Sequence, residues 1–307
     1  MSTPGSGSQS RANGPWSTET PNPRTGRIDR VPLLEAVRLL HAEDHLAVEA
    51  VDRVLPDVAR AAGLAAETYR RGGRWVFVGA GTSGRIAFAE AAELPPTFGL
   101  PPDRALARMA GGYGALEKAV EGAEDDSEAG ENDLRAIPLR EGDFVVGLAA
   151  SGRTPYVVGA LRFAREVGAR TVAVSSVPGS PITKDVDVAI CPDTGPEAIL
   201  GSTRLKAGTA QKLVMNMITT AAMIEVGRVY RNLMVHMEAT NEKLRERAER
   251  LVSLGAGVDD EGARAAVAEA RGQVATAIAS ILLGVSAEEA AQRLAEVDGD
   301  LRRLPGA

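Results

Sequence analysis

Four apolar residues, Trp75 to Val78, run without a break between Gly72-Gly73 and Gly79. A short run of β-formers closed off by glycine predicts a strand buried on both faces. Similar runs return at Ala105 to Ala110, Asp143 to Ala150, Thr171 to Ser176 and Val186 to Ile190. Between them the apolar residues recur at helical spacing: after Gly84, from Tyr156 to Val167, and after Thr203 toward Tyr230. Pro95-Pro96 should stop the first of these helices, since neither residue has an N–H to donate. A short helix is expected over Ala115 to Glu124. Strands alternating with helices predict an α/β fold, a parallel sheet with helices on both faces.

The flanks are helical without strands. Leu33 to Val54 carries Leu33, Val37 and Leu40 at helical spacing behind Pro32, and another helix runs from Pro56 toward Arg71. Beyond Asn241 short helices are expected over Lys243 to Ser253, Glu261 to Leu283 and Ala287 to Leu294. Ser286 with Glu289 forms a capping box before the last. This tail reads as a small helical bundle. Residues 1–17, rich in Ser, Gly, Asn and Pro, are expected to be disordered, and 18–29 to form a polar arm.

Composition narrows the classes of function. The chain has 307 residues, enough for a full core, and a formal charge of −6. That balance argues against a nucleic-acid surface. Cys191 is the only cysteine, and the three histidines, His41, His45 and His236, form no metal-ligand cluster. No long apolar stretch and no N-terminal hydrophobic signal are present, which predicts a cytoplasmic protein.

The candidate chemistry lies in the turns that leave the strands. Gly79-x-Gly81-x-x-Gly84 has the spacing of a dinucleotide loop, but no carboxylate closes the next strand to hold a ribose. Thr82 and Ser83 instead place hydroxyls at a helix start, where free N–H groups and the dipole suit a compact phosphate. The layout repeats at Ser151-Gly-Arg-Thr154, with Pro155 at the first helical position. A third polar cluster, Ser202, Thr203, Arg204 and Lys206, opens an otherwise apolar helix. Capping by Ser202 or Thr203 accounts for one residue of it; a ligand-facing helix start accounts for the group. Glu124-Asp-Asp-Ser-Glu128 is either a solvated acidic loop or a carboxylate held for a task.

With these motifs in place the chain resembles the N-acetylmuramic acid 6-phosphate etherase family of the sugar-isomerase (SIS) fold. The resemblance rests on Gly79-Ala-Gly-Thr-Ser-Gly-Arg85, Glu93-Leu-Pro-Pro-Thr-Phe-Gly99, Val120-Glu-Gly-Ala-Glu-Asp125, Ala150-Ser-Gly-Arg-Thr-Pro-Tyr156 and Gly195-Pro-Glu through Lys212. It implies a five-stranded parallel sheet, a phosphosugar-binding domain over 55–238 and a helical domain over 239–307, after an arm and helix over 18–54. It implies a homodimer that needs no metal or organic cofactor. It also implies cleavage of a lactyl ether by water, releasing N-acetylglucosamine 6-phosphate and D-lactate. Glu93 falls on the family's proton donor and Glu124 on its second catalytic position. The substrate-binding candidates are Thr82, Ser83 and Gly84 in the first turn, Ser151, Gly152 and Thr154 in the second, and Glu197, Ser202, Thr203 and Lys206 near the long helix. Glu90-Ala-Ala-Glu93-Leu94 departs from the family's Asp-Ala-Ser-Glu-Cys, and His236 stands where aspartate is expected.

Two carboxylates in unlike surroundings can divide acid and base roles. Burial near Leu94-Pro-Pro is expected to keep Glu93 protonated, and the wetter acidic stretch to leave Glu124 ionised. The plain alternative for Glu93 is a surface carboxylate paired with Arg85. A sugar-phosphate isomerase and a non-catalytic sugar-phosphate-binding regulator of the same fold are the rival readings.

Overall fold

The computed structural model describes residues 17–237 and 241–305. The expected disordered tail lies outside them save for Ser17, which opens a 3-10 turn over Ser17–Glu19. Helices α1 (Leu33–Asp52) and α2 (Leu55–Arg70) lead into β1 (Trp75–Gly79), α3 (Gly81–Phe98) and β2 (Ala105–Met109). Then come α4 (Gly114–Glu117), α5 (Ser127–Arg135), β3 (Phe144–Leu148), α6 (Pro155–Val167), β4 (Arg170–Val174), β5 (Val188–Ile190) and α7 (Lys206–Glu225). The five strands form one parallel sheet in the order β2-β1-β3-β4-β5. Trp75 sits opposite Ala105 on one side and Phe144 on the other. The α/β class and the five-stranded parallel sheet expected from the sequence are what the chain forms.

Alternation along the strands builds two cores. Trp75, Phe77, Phe144, Val146 and Val174 face α2, α3 and α7, while Val76, Val78, Val145 and Ala173 face α6. A third cluster joins Val235 and Met237 to α8 (Glu242–Ala256), α9 (Asp260–Glu269), α10 (Val274–Leu283) and α11 (Ala287–Glu296). The expected helix over Glu261 to Leu283 is two helices bent by 113°, because Gly272 takes a left-handed turn between them. Ser286 caps α11 as its sequence predicts, accepting from the Glu289 N–H at 3.2 Å.

Three further elements differ from expectation. Pro95 and Pro96 lie inside the last turn of α3 rather than ending it. The stop is Gly99, at φ 63°, whose N–H reaches Pro95 O. The helix expected over Ala115 to Glu124 lasts only four residues as α4, since Lys118 is extended and Gly122 is left-handed. The acidic stretch therefore precedes a helix that the sequence pattern did not announce, α5. Asp126 caps it, accepting from the Ala129 N–H at 2.9 Å, so the charge sits at the favourable end of a helix. That helix gives little periodic signal because it buries one large apolar side chain, Leu134, and makes its closest contact through glycine. A Cβ on Gly130 would lie 1.9 Å from Tyr156 O of α6.

The polar arm packs on its own chain through a buried charge. Glu43 of α1 receives Lys206 Nζ at 2.6 Å, Asn22 Nδ2 at 2.8 Å and the Arg24 guanidinium at 2.5 Å. Asn22 and Thr25 also donate to Pro196 O and Ala198 O. Burial would raise the Glu43 carboxyl, but the hydrogen bonds from Arg24, Lys206 and Asn22 outweigh it and bring it down to about 2. Glu197, fully buried, accepts from the Lys206 and Ala207 N–H groups at 2.9 and 3.0 Å and so caps α7. Glu197, rather than Ser202 or Thr203, is therefore the cap of this helix start. These contacts correct the expectation that Lys206 and Glu197 face a ligand: both side chains are buried and already spent on the start of α7. Ser202 and Thr203 stay half-buried and open to contact.

His236 occupies the junction between the sheet and the helical tail. Its Nδ1 lies 3.1 Å from Arg228 Nη1 and its Nε2 lies 3.0 Å from Gly299 O. A neutral ring protonated on Nε2 satisfies both, accepting from arginine and donating to the carbonyl. An aspartate could accept from Arg228 but could not donate to Gly299. Burial, with the Arg228 charge beside it, pushes the ring down from 6.5 to about 4. Asp300 acts in the opposite sense.

Two predictions follow from these contacts. The folded ring binds its proton more weakly than the unfolded one. Its contribution, about 3 kcal/mol for a shift of this size, is therefore present above about pH 6.5 and lost as pH falls toward about 4. Melting temperatures of the wild type should fall across that window more steeply than those of His236→Gln; parallel curves would refute the linkage. Lys206→Met should cost about 3 kcal/mol in urea unfolding by stranding part of the Glu43 charge. Adding Glu43→Leu should recover most of the loss, and a single variant as stable as wild type would contradict the account.

Candidate active site

The strand order reverses direction between β1 and β3, so the crossovers leave β1 on opposite sides and open a crevice at their C-terminal ends. Both hydroxyl-bearing turns lie at that edge. The first runs from Gly79 into α3, whose start has no side-chain cap. A Cβ on Gly84 would sit 2.6 Å from Met109 Cβ, so glycine alone lets α3 lie this close to β2. The second runs from Ala149 into α6, where Thr154 makes no side-chain cap either. Gly152 has φ 66°, and a Cβ there would lie 1.9 Å from Ser180 Oγ. Two uncapped helix starts at one sheet edge are suited to an anion.

The hydroxyls are not equivalent. Thr82, Ser151 and Thr154 are half-buried and reachable. Ser151 Oγ accepts from the Arg153 N–H at 3.3 Å. Ser83 is buried, and its hydroxyl donates to Gln211 Oε1 at 2.8 Å, while Gln211 Nε2 is buried without a hydrogen-bond partner. Gln211 was not singled out from the sequence, because an amide inside a long apolar helix pattern carries no local sign of where it points.

A cavity of about 310 Å³ opens beside the first turn, lined by Ala80, Gly81, Arg85, Met109, Val120 and Glu124 among others. It brings the exposed carboxylate of Glu124 to the same wall as Gly81. Arg85 enters it from α3 and is held by Ala115 O at 2.7 Å and Leu116 O at 2.9 Å. These contacts, rather than Glu93, are its partners.

Glu93 stands apart. It is exposed on α3, so the burial expected to keep it protonated is missing. Helical rise puts it roughly 15 Å along the axis from Ser83, and it is absent from the cavity lining. The buried carboxylate of this helix is instead Glu90, 5% exposed, which accepts from Thr219 Oγ1 at 2.5 Å and Asn216 Nδ2 at 2.9 Å. Cys191 is half-buried, and burial pushes its thiol up to about 11, which fits packing rather than reactivity.

Comparison with known proteins bears on what this edge does. The model of the glucokinase regulatory protein N-terminal SIS domain matches residues 57–165, and the SIS domain model matches 123–221. A solved structure from Bacteroides fragilis, described as a phosphosugar isomerase involved in capsule formation, is 21% identical with a TM-score of 0.51. It covers 66% of this chain and 95% of its own, and shares the fold. N-acetylmuramic acid 6-phosphate etherases are far nearer in sequence. Those of Serratia proteamaculans and Salmonella typhimurium are each 53% identical over 285 residues, 93% of this chain and 96% of theirs. The chain therefore belongs to the N-acetylmuramic acid 6-phosphate etherase family, on a SIS fold.

Proposed function

We propose that this chain is a cytoplasmic carbon–oxygen lyase that cleaves the lactyl ether of N-acetylmuramate 6-phosphate. One observation carries the reading: identity of 53% to named etherases across 93% of the chain. Presence of both Glu93 and Glu124 agrees with it. The 6-phosphate sits on the uncapped helix starts, contacting Thr82, Ser83 and Gly84 on one side and Ser151, Gly152 and Thr154 on the other. Ser202 and Thr203 border the sugar. Glu197 and Lys206 support the site from behind by fixing the start of α7.

In the open-chain sugar the C2 hydrogen is α to the aldehyde and can leave as a proton. Glu124 takes it, and the C–H electron pair passes into an enolate with a C1=C2 bond; the enolate then re-forms the aldehyde as the C2=C3 bond forms and the C3–O bond breaks. Glu93 gives its proton to the departing oxygen, so the leaving group is D-lactate. Water then adds its oxygen at C3 and gives a proton to Glu93, while Glu124 returns a proton to C2. Each carboxyl ends as it began.

The active form is a homodimer. Leu33, Leu34 and Val37 at the start of α1 are 82%, 62% and 52% exposed, and Ile199 and Leu200 are 47% and 53% exposed. Such apolar residues in soluble proteins mark contact surfaces. The polar arm packs within its own chain and does not itself call for a second copy. A second copy also supplies a way to bring a carboxylate to turns that α3, in one chain, holds away from Glu93.

Incubation with N-acetylmuramate 6-phosphate should release D-lactate. Glu93→Gln should still exchange the C2 hydrogen with D₂O while releasing almost none, and Glu124→Gln should slow both. Isomerised sugar without lactate would favour an isomerase, and binding without turnover a regulator. Light scattering at micromolar concentration should give twice the chain mass, and Val37→Asp should shift the species toward monomer. A fully active wild-type monomer would overturn the dimer.

A further inference from the structure

A cavity of about 470 Å³ opens at the other edge of the sheet, where Gly72 leads toward β1, Arg104 leads into β2, and Asp298 to Arg303 pass by from the chain's end. Its charged side chains are unevenly matched. Arg70 pairs with Glu225 at 2.9 Å and Arg303 with Asp298 at 3.3 Å, while Asp300 is taken by Arg302 at 2.8 Å. Arg104 and Arg228 form no ion pair among the described residues. Their hydrogen bonds all go to neutral groups: Arg104 donates to Gly73 O at 2.9 Å and Tyr69 O at 3.0 Å, and Arg228 to the Tyr69 hydroxyl at 2.5 Å and His236 Nδ1 at 3.1 Å. Arg228 Nε is buried with no partner at all.

Both guanidiniums lie against one ring, 4.9 and 5.5 Å from the centre of Tyr69. An aromatic face and neutral acceptors ease the desolvation of a cation but do not cancel its charge. Two cations gathered on one ring repel until a counter-charge joins them. Tyr69 Oη already accepts from Arg228, so its own proton is left to donate, and Arg104 Nη1 bonds to nothing among the described residues. We propose that this cavity is an anion site for a compact dianion, a phosphate group or a short dicarboxylate, held by Arg104, Arg228 and the Tyr69 hydroxyl. Its volume suits a small molecule. The strands separate it from the turns at their exits, roughly 13 Å away along β1, so its ligand is not the sugar proposed to bind there. An anion here would link α2 and the start of β2 to the segment that leads from α7 into the helical tail. The site does not depend on the reaction proposed for the other edge.

Trp75 reports on it, because its ring centre lies 6.3 Å from that of Tyr69. Trp16→Phe leaves Trp75 the only tryptophan. The full chain carrying that change is titrated with inorganic phosphate and, separately, with succinate, ionic strength being held constant with sodium chloride. Trp75 fluorescence should change saturably with at least one of them. Phosphate alone would mark the ligand as a phosphate group, and succinate alone as a dicarboxylate. Arg228→Met should raise the midpoint about tenfold or more. Tyr69→Phe keeps the ring and loses only the hydroxyl; it should raise the midpoint about 3–10-fold even if Arg228→Met folds poorly. Ser151→Ala, at the far edge, should leave the midpoint where it was. No saturable change with either anion, or a midpoint unmoved by Tyr69→Phe and Arg228→Met, would overturn the site. A response abolished by Ser151→Ala would assign the binding to the turns and overturn it equally.

Discussion

A parallel strand can bond its neighbour only if the chain is carried back to the same end between them, so every strand exit lies at one edge. That constraint sets the rest of the molecule. The exits of β1 and β3 must be turns followed by helices, and the helices must lie close to the sheet to bury both of its faces. Gly84 permits that closeness for α3 and β2, and Gly152 lets the second turn lie against Ser175 and Ser180 beyond β4. The N–H groups freed at the two helix starts are by-products of the same geometry, and they converge where the strand order reverses. An edge suited to an anion is thus inherent in the topology, and side chains decide only what else could be held beside it.

The architecture was largely legible in the sequence, since short apolar runs between glycines can pack in few ways. The strands emerged within a residue or two of expectation, and both hydroxyl-bearing turns fell on strand exits. What stayed hidden depends on partners distant in the chain. Lys206 reads as a phosphate ligand until Glu43 is seen beneath it, 163 residues away. Leu33 and Val37 fall at helical spacing, yet the face that α1 buries is that of Glu43, Ala47, Ala50 and Val51. Helix α5 left little periodic signal because its contact face is Gly130 and a single large apolar residue, Leu134. Local pattern reports which face is apolar; it does not report whether this chain or another covers it.

The two carboxylates illustrate a related limit. Glu93 and Glu90 are three residues apart in an alanine-rich helix, and nothing in the local sequence says which one is buried. The structure reverses the expectation: the exposed one carries the family's proposed chemistry and the buried one is tied into α7. A departure at position 90 that looks minor as a change of side-chain length changes how far the anion extends across the seam.

The ionic contact between Glu43 and Lys206 also constrains the order in which the molecule assembles. Neither charge can leave water until the other arrives, and the arm's bond from Asn22 to Pro196 closes a loop of 174 residues. During synthesis the strands β1 to β4 emerge and can pair while Glu43 has Arg24 beside it in the chain but still lacks Lys206. Closure of α1 and the arm over the sheet is therefore a late event, with the loop-closure entropy that long separations demand. Until α7 has left the ribosome, Glu43 can pair only with Asn22 and Arg24, and the first helix lacks the face of α7 against which it packs. The charge that anchors the finished protein acts earlier as a timer.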